Sequence, residues 1–254
     1  MSFERSKANL TTLGEIGILT KECMVCTFTR PFYWGRVYEQ ILELGLGSLS
    51  ITIVIGLVTG LVMTLQFGYG LEKFGGTLYV PAIVSISLLR ELAPIFTSLL
   101  IAGRIGSGIS AEIGAMSVTQ QIDAIRALGT SPIRVLVVPR VVAAAISLPL
   151  LATLSAFMGI IGGFLIAYSE FGIPVGFYMN KVLSTIKLVD VFGSMFKCLF
   201  FALVIAILAC YRGFKTTEGT RGVGTATTWV VVYTSTVILI SDFFLSKLLI
   251  LVFG

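Results

Sequence analysis

The stretch VVAAAISLPLLATLSAFMGIIGGFLIAY, Val141 to Tyr168, has 28 residues and contains no charged side chain. An α-helix rises about 1.5 Å per residue, so this stretch is long enough to cross the hydrocarbon core of a bilayer and to project beyond it. It therefore predicts a transmembrane helix, in a protein whose main solvent is lipid.

Four more apolar runs of spanning length lie in the chain, at about 44–67, 80–103, 191–211 and 225–250. Of the 254 residues, 56% are hydrophobic and 12% are charged, which is more apolar surface than one soluble core of that size could bury. We therefore predict an all-α integral membrane fold with five transmembrane helices in residues 44–254. Residues 1–43 would precede it, and residues 104–140 would connect its second and third spans.

The basic residues are distributed unequally between the two ends of these predicted spans. Twelve lie on the side of the N-terminus: Arg5, Lys7, Lys21, Arg30, Arg36, Arg104, Arg126, Arg134, Arg140, Arg212, Lys215 and Arg221. Four lie on the opposite side: Lys73, Lys181, Lys187 and Lys247. Because cytoplasmic loops carry the excess of Lys and Arg, the N-terminus is predicted to be cytoplasmic and the C-terminus to lie outside. The net charge of +5 then reflects membrane orientation, and no nucleic-acid partner is expected.

Composition also argues against hydrolytic and metal-centred chemistry. The chain has no histidine, which is the commonest general base and metal ligand. Cys23 and Cys26 form a CxxC without a second pair of ligands, so no metal site is predicted. Cys198 and Cys210 lie in an apolar run and are interpreted as small hydrophobic residues.

The segment before the first span is predicted to be amphipathic. After Pro31, the residues Tyr33, Val37, Ile41 and Leu44 recur at helical spacing, with charged residues between them. This pattern favours a helix that lies in the cytoplasmic interface of the membrane, and a soluble docking helix is the alternative.

Residues 104–140 contain two apolar faces that one straight helix cannot bury together. They are Ile109, Ile113 and Met116 on one side, and Val118, Ile122 and Ile125 nearly opposite. A break is therefore expected near Ser117, where Ser117 and Gln120 match a capping box, with a new helix from Val118 to Leu128 that ends at Gly129. Such a helix could dock a soluble motor protein, or it could be an ordinary interfacial loop helix.

Small residues occur at helical spacing in two of the spans. Gly56 and Gly60 form a GxxxG in the first, and Gly159, Gly162 and Gly163 cluster in the third. Such residues allow helix backbones to approach closely in lipid. The pattern leaves open whether the partner helix belongs to the same chain or to another.

The stretch LLRELAPIFTSLLIAGRIGSGISAEIGAMSVTQQIDAIRALG, Leu88 to Gly129, resembles the signature region of the MlaE/YrbE permeases, the membrane subunits of MCE-associated lipid ABC transporters. Two further matches are GVGTATT, Gly222 to Thr228, and SLPLL, Ser147 to Leu151. Together they cover most of the chain in the expected order.

The resemblance implies a homodimer in the bacterial inner membrane with a periplasmic C-terminus. Its partners would be a cytoplasmic ATPase (MlaF-like), an MCE-domain protein (MlaD-like) and a STAS-domain protein (MlaB-like), and its substrate a phospholipid whose transport maintains outer-membrane lipid asymmetry. The chain contains no GxxxxGK[ST] loop, so we expect no cofactor in it and no enzymatic activity of its own. ATP and Mg²⁺ would be bound by the partner ATPase.

The resemblance also assigns site residues. Those of the coupling helices that engage the ATPase would be Glu112, Gln120, Gln121, Asp123 and Arg126. Those of the substrate cavity would be Arg90, Glu91, Met63, Leu71 and Phe74. A charge inside a span costs about 2.5 to 3.5 kcal/mol on insertion scales, so Arg90 and Glu91 are expected either to face the cavity or to form ion pairs with other spans.

Lys197 and Asp242 are a second pair of charges inside predicted spans. We interpret them as a buried structural bridge, with proton coupling as the alternative. An ion- or proton-coupled secondary transporter, with Glu91 and Asp242 as coupling carboxylates, is therefore the alternative to the ABC permease. An intramembrane enzyme is a third hypothesis, which the lack of any visible nucleophile and base disfavours.

Overall fold

The structure is a computed structural model that describes residues 2–29 and 33–253, so Arg30, Pro31 and Phe32 of the predicted interfacial segment lie outside the described residues. Within the described ranges every regular element is helical. The α-helices are α1 (Ser2–Phe28), α2 (Trp34–Ile41), α3 (Gly47–Glu72), α4 (Val80–Ser87), α5 (Ala93–Ile101), α6 (Ser107–Val118), α7 (Gln121–Ala127), α8 (Val138–Ser169), α9 (Val175–Thr185), α10 (Leu188–Phe214) and α11 (Gly219–Phe253).

Short helical turns join several of these elements into longer rods. Four are π-helical, at Leu42–Leu46, Leu88–Leu92, Ala102–Gly106 and Ile133–Val137, and one is a 3₁₀ turn at Thr77–Tyr79. In the described part of the chain, five rods are long and apolar enough to cross a membrane: Trp34–Glu72, Thr77–Val118, Ile133–Ser169, Leu188–Phe214 and Gly219–Val252. The predicted all-α membrane fold with five spans is confirmed.

Both ends of the predicted connection at 104–140 are helical and continue the neighbouring rods. The second rod continues to Val118, and the third already begins at Ile133. Arg104 lies inside the second rod, and its side chain is exposed. The connection proper is therefore confined to residues 119–132, with α7 inside it.

The N-terminal segment contains two helices. Val37 of α2 is only 2% exposed and Leu44 is 5% exposed, so the predicted apolar stripe is buried at these two positions. However, α2 does not end before the first span, since the π-helical turn Leu42–Leu46 joins it to α3.

Contacts divide the chain into two compact units. The first comprises Met1–Leu44, Ile101–Ala145 and Ala202–Val237, and the second comprises Gly45–Leu100, Ile146–Phe201 and Ile238–Gly254.

In the second unit, α3 packs against α8 through small residues. A Cβ atom added to Gly60 would lie 1.8 Å from the carbonyl oxygen of Gly159, and one added to Gly56 would lie 2.4 Å from that of Ser155. On α8, a Cβ at Gly162 would lie 2.3 Å from the carbonyl oxygen of Leu57. The GxxxG of the first span therefore packs within this chain, which answers the question that the sequence left open.

Residues 170–190, which carry no recognisable motif, contain α9 in the same unit. Tyr178 of α9 is fully buried, and its hydroxyl donates to the carbonyl oxygen of Ile160 at 3.0 Å. Ala167, Ile173 and Val182 form the rest of this small core. The phenol thus anchors α9 to α8, because its polar tip is satisfied inside an apolar cluster.

Candidate functional site

A network of charged side chains in the second unit is centred on the π-helical turn Leu88–Leu92. Arg90 Nε donates to Asp190 Oδ1 at 2.7 Å, and the other oxygen of Asp190 accepts the backbone N–H of Lys187 at 2.9 Å. Asp190 is 5% exposed. Arg90 is therefore held at the start of α10 by a buried carboxylate that is itself fixed by the backbone.

Glu91, the next residue, points to a different partner. Lys197 Nζ on α10 donates to Glu91 Oε2 at 2.7 Å and to Ser246 Oγ on α11 at 2.6 Å. Ser246 in turn donates its hydroxyl proton to Glu91 Oε2 at 2.9 Å. Three helical rods thus meet at one ammonium group.

The backbone of Arg90 supplies a further acceptor. Residue 94, four positions later, is proline, which has no N–H to close the usual helical hydrogen bond to the Arg90 carbonyl. Lys197 Nζ donates to that oxygen at 2.9 Å instead. Pro94 therefore exposes a carbonyl that the buried lysine satisfies.

Asp242 of α11 completes the network. Its Oδ1 lies 3.3 Å from Lys197 Nζ, and the side chains of Lys197 and Asp242 are 2% and 10% exposed. The pair expected from the sequence is thus in contact, but the same ammonium also binds Glu91 at shorter distance. Arg90 and Glu91 likewise both form ion pairs with other spans, which was one of the two expectations for them.

A small cavity lies against this network. Its volume is about 60 Å³, and its polar lining is formed by Arg90, Glu91, Asp190, Ser194, Lys197 and Ser246. A cavity of this size has room for a few water molecules, since one water needs about 10 to 15 Å³, but it is far below the roughly 300 Å³ at which pockets for larger ligands begin. In one chain it can hold water or a small ion and has no room for an acyl chain.

The three apolar residues assigned to the substrate cavity lie elsewhere in the second unit. Met63 and Leu71 pack against the cluster of Val80, Val84 and Leu88. Phe74 is 85% exposed. None of the three lines the 60 Å³ cavity beside Arg90 and Glu91. Their role in substrate binding stays a prediction.

The break in the connection of the first unit lies three residues later than predicted. Helix α6 continues to Val118, and Gln120 has a positive φ of 59°, immediately before α7. Ser117 makes no cap, because its hydroxyl donates to the carbonyl oxygen of Phe214 at 3.4 Å. The predicted capping box is therefore wrong. The chain turns at Gln120, whose backbone is left-handed, and the Ser117 hydroxyl makes a tertiary hydrogen bond instead of a cap.

The end of α7 agrees with the sequence. Gly129 has a φ of 73° and donates its N–H to Arg126 O at 2.9 Å, while Thr130 N–H reaches Ile125 O at 3.3 Å. These two hydrogen bonds are those of a Schellman motif. The prediction that the helix stops at Gly129 is confirmed.

Helix α7 presents a polar face to solvent. Ile122 is 5% exposed and anchors the helix, whereas Gln121, Asp123 and Arg126 are exposed. Asp123 and Arg126 form an ion pair at 3.2 Å. An exposed pair of this kind contributes little to stability, so these side chains are free to exchange partners.

Glu112, the remaining residue assigned to coupling, is tied to α8. Arg140 donates from Nη2 to Glu112 Oε2 at 2.7 Å and from Nη1 to Leu136 O at 2.7 Å. The guanidinium of Arg140 is 5% exposed, whereas Glu112 is 55% exposed. Arg140 thus braces α6, close to α7 in sequence, against the start of the third span.

Within the first unit, a polar cluster at Glu15 joins α1 to the end of α10. Glu15 accepts the hydroxyl of Tyr211 at 2.7 Å and also pairs with Lys215. The hydrogen bond from Lys215 is the main cause that lowers the pKa of Glu15, and the same contact raises the pKa of Lys215. Burial, by contrast, raises the pKa of the Cys23 thiol to about 11, which keeps that thiol protonated and inert.

Sequence reasoning missed Asp190, Ser246, Pro94 and Arg140 as parts of these sites. Pro94 carried a readable signal, because a proline four residues after an intramembrane charge leaves a carbonyl without its donor. Ser246 and Asp190 carried none, since their partners are separated from them by 155 and 100 residues.

Comparison with known proteins decides the family. The family model described as "Permease MlaE" matches residues 37–248, which include the charged network, α7 and all but the ends of the five spanning rods. The chain belongs to the MlaE permease family.

Relatives within and near this family share most of the chain. A "probable ABC transporter permease protein" of Synechocystis is 44% identical over 211 residues, covering 83% of this chain and 80% of the relative. A protein of the same description from Rickettsia typhi is 36% identical over 219 residues, covering 86% and 85%. "Protein TRIGALACTOSYLDIACYLGLYCEROL 1, chloroplastic" of Arabidopsis thaliana is 32% identical over 232 residues, covering 91% and 66%.

These similarities make this MlaE-family chain a membrane-embedded permease subunit of an ABC transporter, a transport component rather than an enzyme. The permease description also implies an ATPase partner.

Proposed function

We propose that this chain moves phospholipids between the bacterial inner membrane and an MCE-domain protein, and thereby maintains the lipid asymmetry of the outer membrane. The observation that carries the proposal is the match to the MlaE permease family over residues 37–248. The name of the Arabidopsis relative contains a glycerolipid, trigalactosyldiacylglycerol, which supports a lipid as the transported substrate.

The motor would dock on α7. The exposed side chains of Gln121, Asp123 and Arg126 offer polar contacts, while buried Ile122 fixes the helix to its own unit. ATP and Mg²⁺ would be bound by a separate cytoplasmic ATPase, and a STAS-domain protein could accompany it. Force applied to this region would reach the third span through the Arg140–Glu112 ion pair.

Two copies of the chain would form the transporter, with the N-terminus in the cytoplasm and the C-terminus in the periplasm. The excess of Lys and Arg near the N-terminal side of the spans supports this orientation. The 60 Å³ cavity beside the charged network has no room for an acyl chain. A homodimer would provide a larger substrate cavity.

The test is lipid transfer in a reconstituted system. The permease, its ATPase and its MCE protein are placed in liposomes, and the transfer of a labelled phospholipid to or from the MCE protein is followed with and without ATP. ATP-dependent transfer is expected. Transfer driven by an ion gradient without ATP would favour the secondary-transporter alternative and overturn the proposal, although membership in a family of ABC permeases favours ATP as the energy source.

A charge reversal on α7 tests the docking surface. Asp123→Lys should lower ATPase association and the ATPase stimulation by the permease, because Asp123 lies on the exposed face. Glu170→Lys is the matched control, since Glu170 is also exposed but lies between α8 and α9 in the other unit. Equal loss of association in both variants would contradict docking at α7.

A further inference from the structure

The charged network of the second unit is not electrically balanced. It contains two cations, Arg90 and Lys197, and three carboxylates, Glu91, Asp190 and Asp242. Arg90 and Asp190 neutralise each other, so Lys197 alone faces both Glu91 and Asp242. One negative charge is therefore in excess, in a segment where an uncompensated charge is costly.

The two carboxylates do not share Lys197 equally. An ammonium group has three N–H donors, and Lys197 gives them to Arg90 O at 2.9 Å, Glu91 Oε2 at 2.7 Å and Ser246 Oγ at 2.6 Å. Glu91 also receives the hydroxyl of Ser246. Asp242 is left with an electrostatic contact at 3.3 Å.

Asp242 is also the buried member of the pair. Its side chain is 10% exposed, against 39% for Glu91, and within the described residues its Oδ1 receives no hydrogen bond. The ionisable groups that act on it are Lys197 and the fully buried thiol of Cys198 from α10, and Glu91 from the Leu88–Leu92 turn. None of these supplies a second positive charge to Asp242, because Arg90 is bound to Asp190.

We propose that this network is a proton-binding site, in which one proton from solvent is held on the carboxyl group of Asp242. With that proton bound, the network is neutral, and Asp242 becomes a carboxylic acid that needs no further donor. The adjacent cavity, which Glu91 and Ser246 line, has room for a few water molecules through which such a proton would exchange with solvent. A movement of α10 or α11 that separates Lys197 from Glu91 would change the charge balance and release or take up the proton.

Infrared spectroscopy of the full-length chain in micelles of a detergent without carbonyl groups tests the proposal without any lipid transfer or ATPase assay. At about pH 7, where free carboxyl groups are ionised, the wild-type chain should show the C=O stretch of a protonated carboxylic acid. Asp242→Asn should abolish this band and should leave stability nearly unchanged, because the amide resembles the neutral acid in shape and charge.

Two more variants make the result specific. Glu91→Gln should also abolish the band, since one carboxylate then faces one lysine and Asp242 ionises. Glu170→Gln, which removes an exposed carboxylate of the same unit, should leave the band intact. A wild-type spectrum without the band, or a band that survives Asp242→Asn, would overturn the proposal. Because the measurement needs no partner, its failure would leave the proposed transport function untouched.

Discussion

Lys197 Nζ donates a hydrogen bond to the carbonyl oxygen of Arg90 at 2.9 Å. Pro94, four residues after Arg90 in the same helix, has no N–H that could donate to this oxygen. The same ammonium binds Glu91 and Ser246, so one side chain joins the rods that contain α4, α10 and α11. Pro94 would weaken an isolated helix, but here it leaves the Arg90 carbonyl available as the acceptor that holds Lys197 of α10.

Removal of this ammonium should destabilise the second unit strongly. Lys197→Met leaves Glu91 with one donor and exposes the Arg90 carbonyl, and loss of one member of a buried ion pair costs about 3 to 5 kcal/mol. Unfolding in mixed micelles, followed by helical circular dichroism, measures the change. Lys247→Met is the matched control, because Lys247 lies on the same α11 as Ser246 but is exposed. Equal changes in unfolding free energy in the two variants would contradict a specific stabilising role of the network.

The close approach of α3 and α8 gives a second prediction. Gly60→Ala places a Cβ where the carbonyl oxygen of Gly159 lies 1.8 Å away, so the helices must separate, at a cost of about 1 to 3 kcal/mol. Gly70→Ala on the same helix meets nothing within 4 Å and should be neutral or stabilising by up to about 1 kcal/mol. Micelle unfolding of both variants distinguishes them, and a G60A variant as stable as G70A would refute the packing.

The left-handed backbone at Gln120 predicts an order of stabilities. Gln120→Val should destabilise the turn between α6 and α7 by about 1 to 3 kcal/mol, because a β-branched residue rarely adopts a φ of 59°. Gln120→Gly should be at least as stable as the wild type, since glycine adopts this conformation without strain. Limited proteolysis of the connection reports the local change. If valine were tolerated as well as glycine, the turn would not have this geometry in solution.

The attachment of α1 should depend on pH and salt. The pKa of Glu15 is lowered in the folded chain, so its contribution is present above the ordinary carboxyl pKa of about 4.3 and is lost as pH falls further. The pKa of Lys215 is raised, so its contribution is present below about 10.4 and is lost as pH rises through the raised value. Hydrogen exchange of α1 peptides, corrected for intrinsic rates, should show protection between these limits and less of it in high salt.

Glu15→Gln should remove the acid limb of this dependence, while Glu22→Gln, on the same helix, should retain it. Identical pH profiles for the wild type and Glu15→Gln would mean that other contacts hold α1.

Much of the fold was readable from local pattern. The apolar runs predicted five spans because the bilayer fixes how much uncharged helix is needed, and Gly129 predicted the end of α7 because a positive φ there favours glycine. The start of α7 was misplaced because Ser117 matches the pattern of a local cap, whereas its hydroxyl donates to the carbonyl oxygen of Phe214. Sequence spacing does not reveal this contact.

Composition and spacing along single helices were enough to predict the membrane environment, the five helices and the charges at Arg90, Glu91, Lys197 and Asp242. The pairing of these charges was visible only in the folded chain. Lys197 binds Glu91, which is 106 residues away in the sequence, and Ser246, which is 49 residues away. Asp190 binds Arg90, which is 100 residues away. Such contacts depend on which faces of distant helices meet, and close packing at residues such as Gly60 and Gly159 sets those faces.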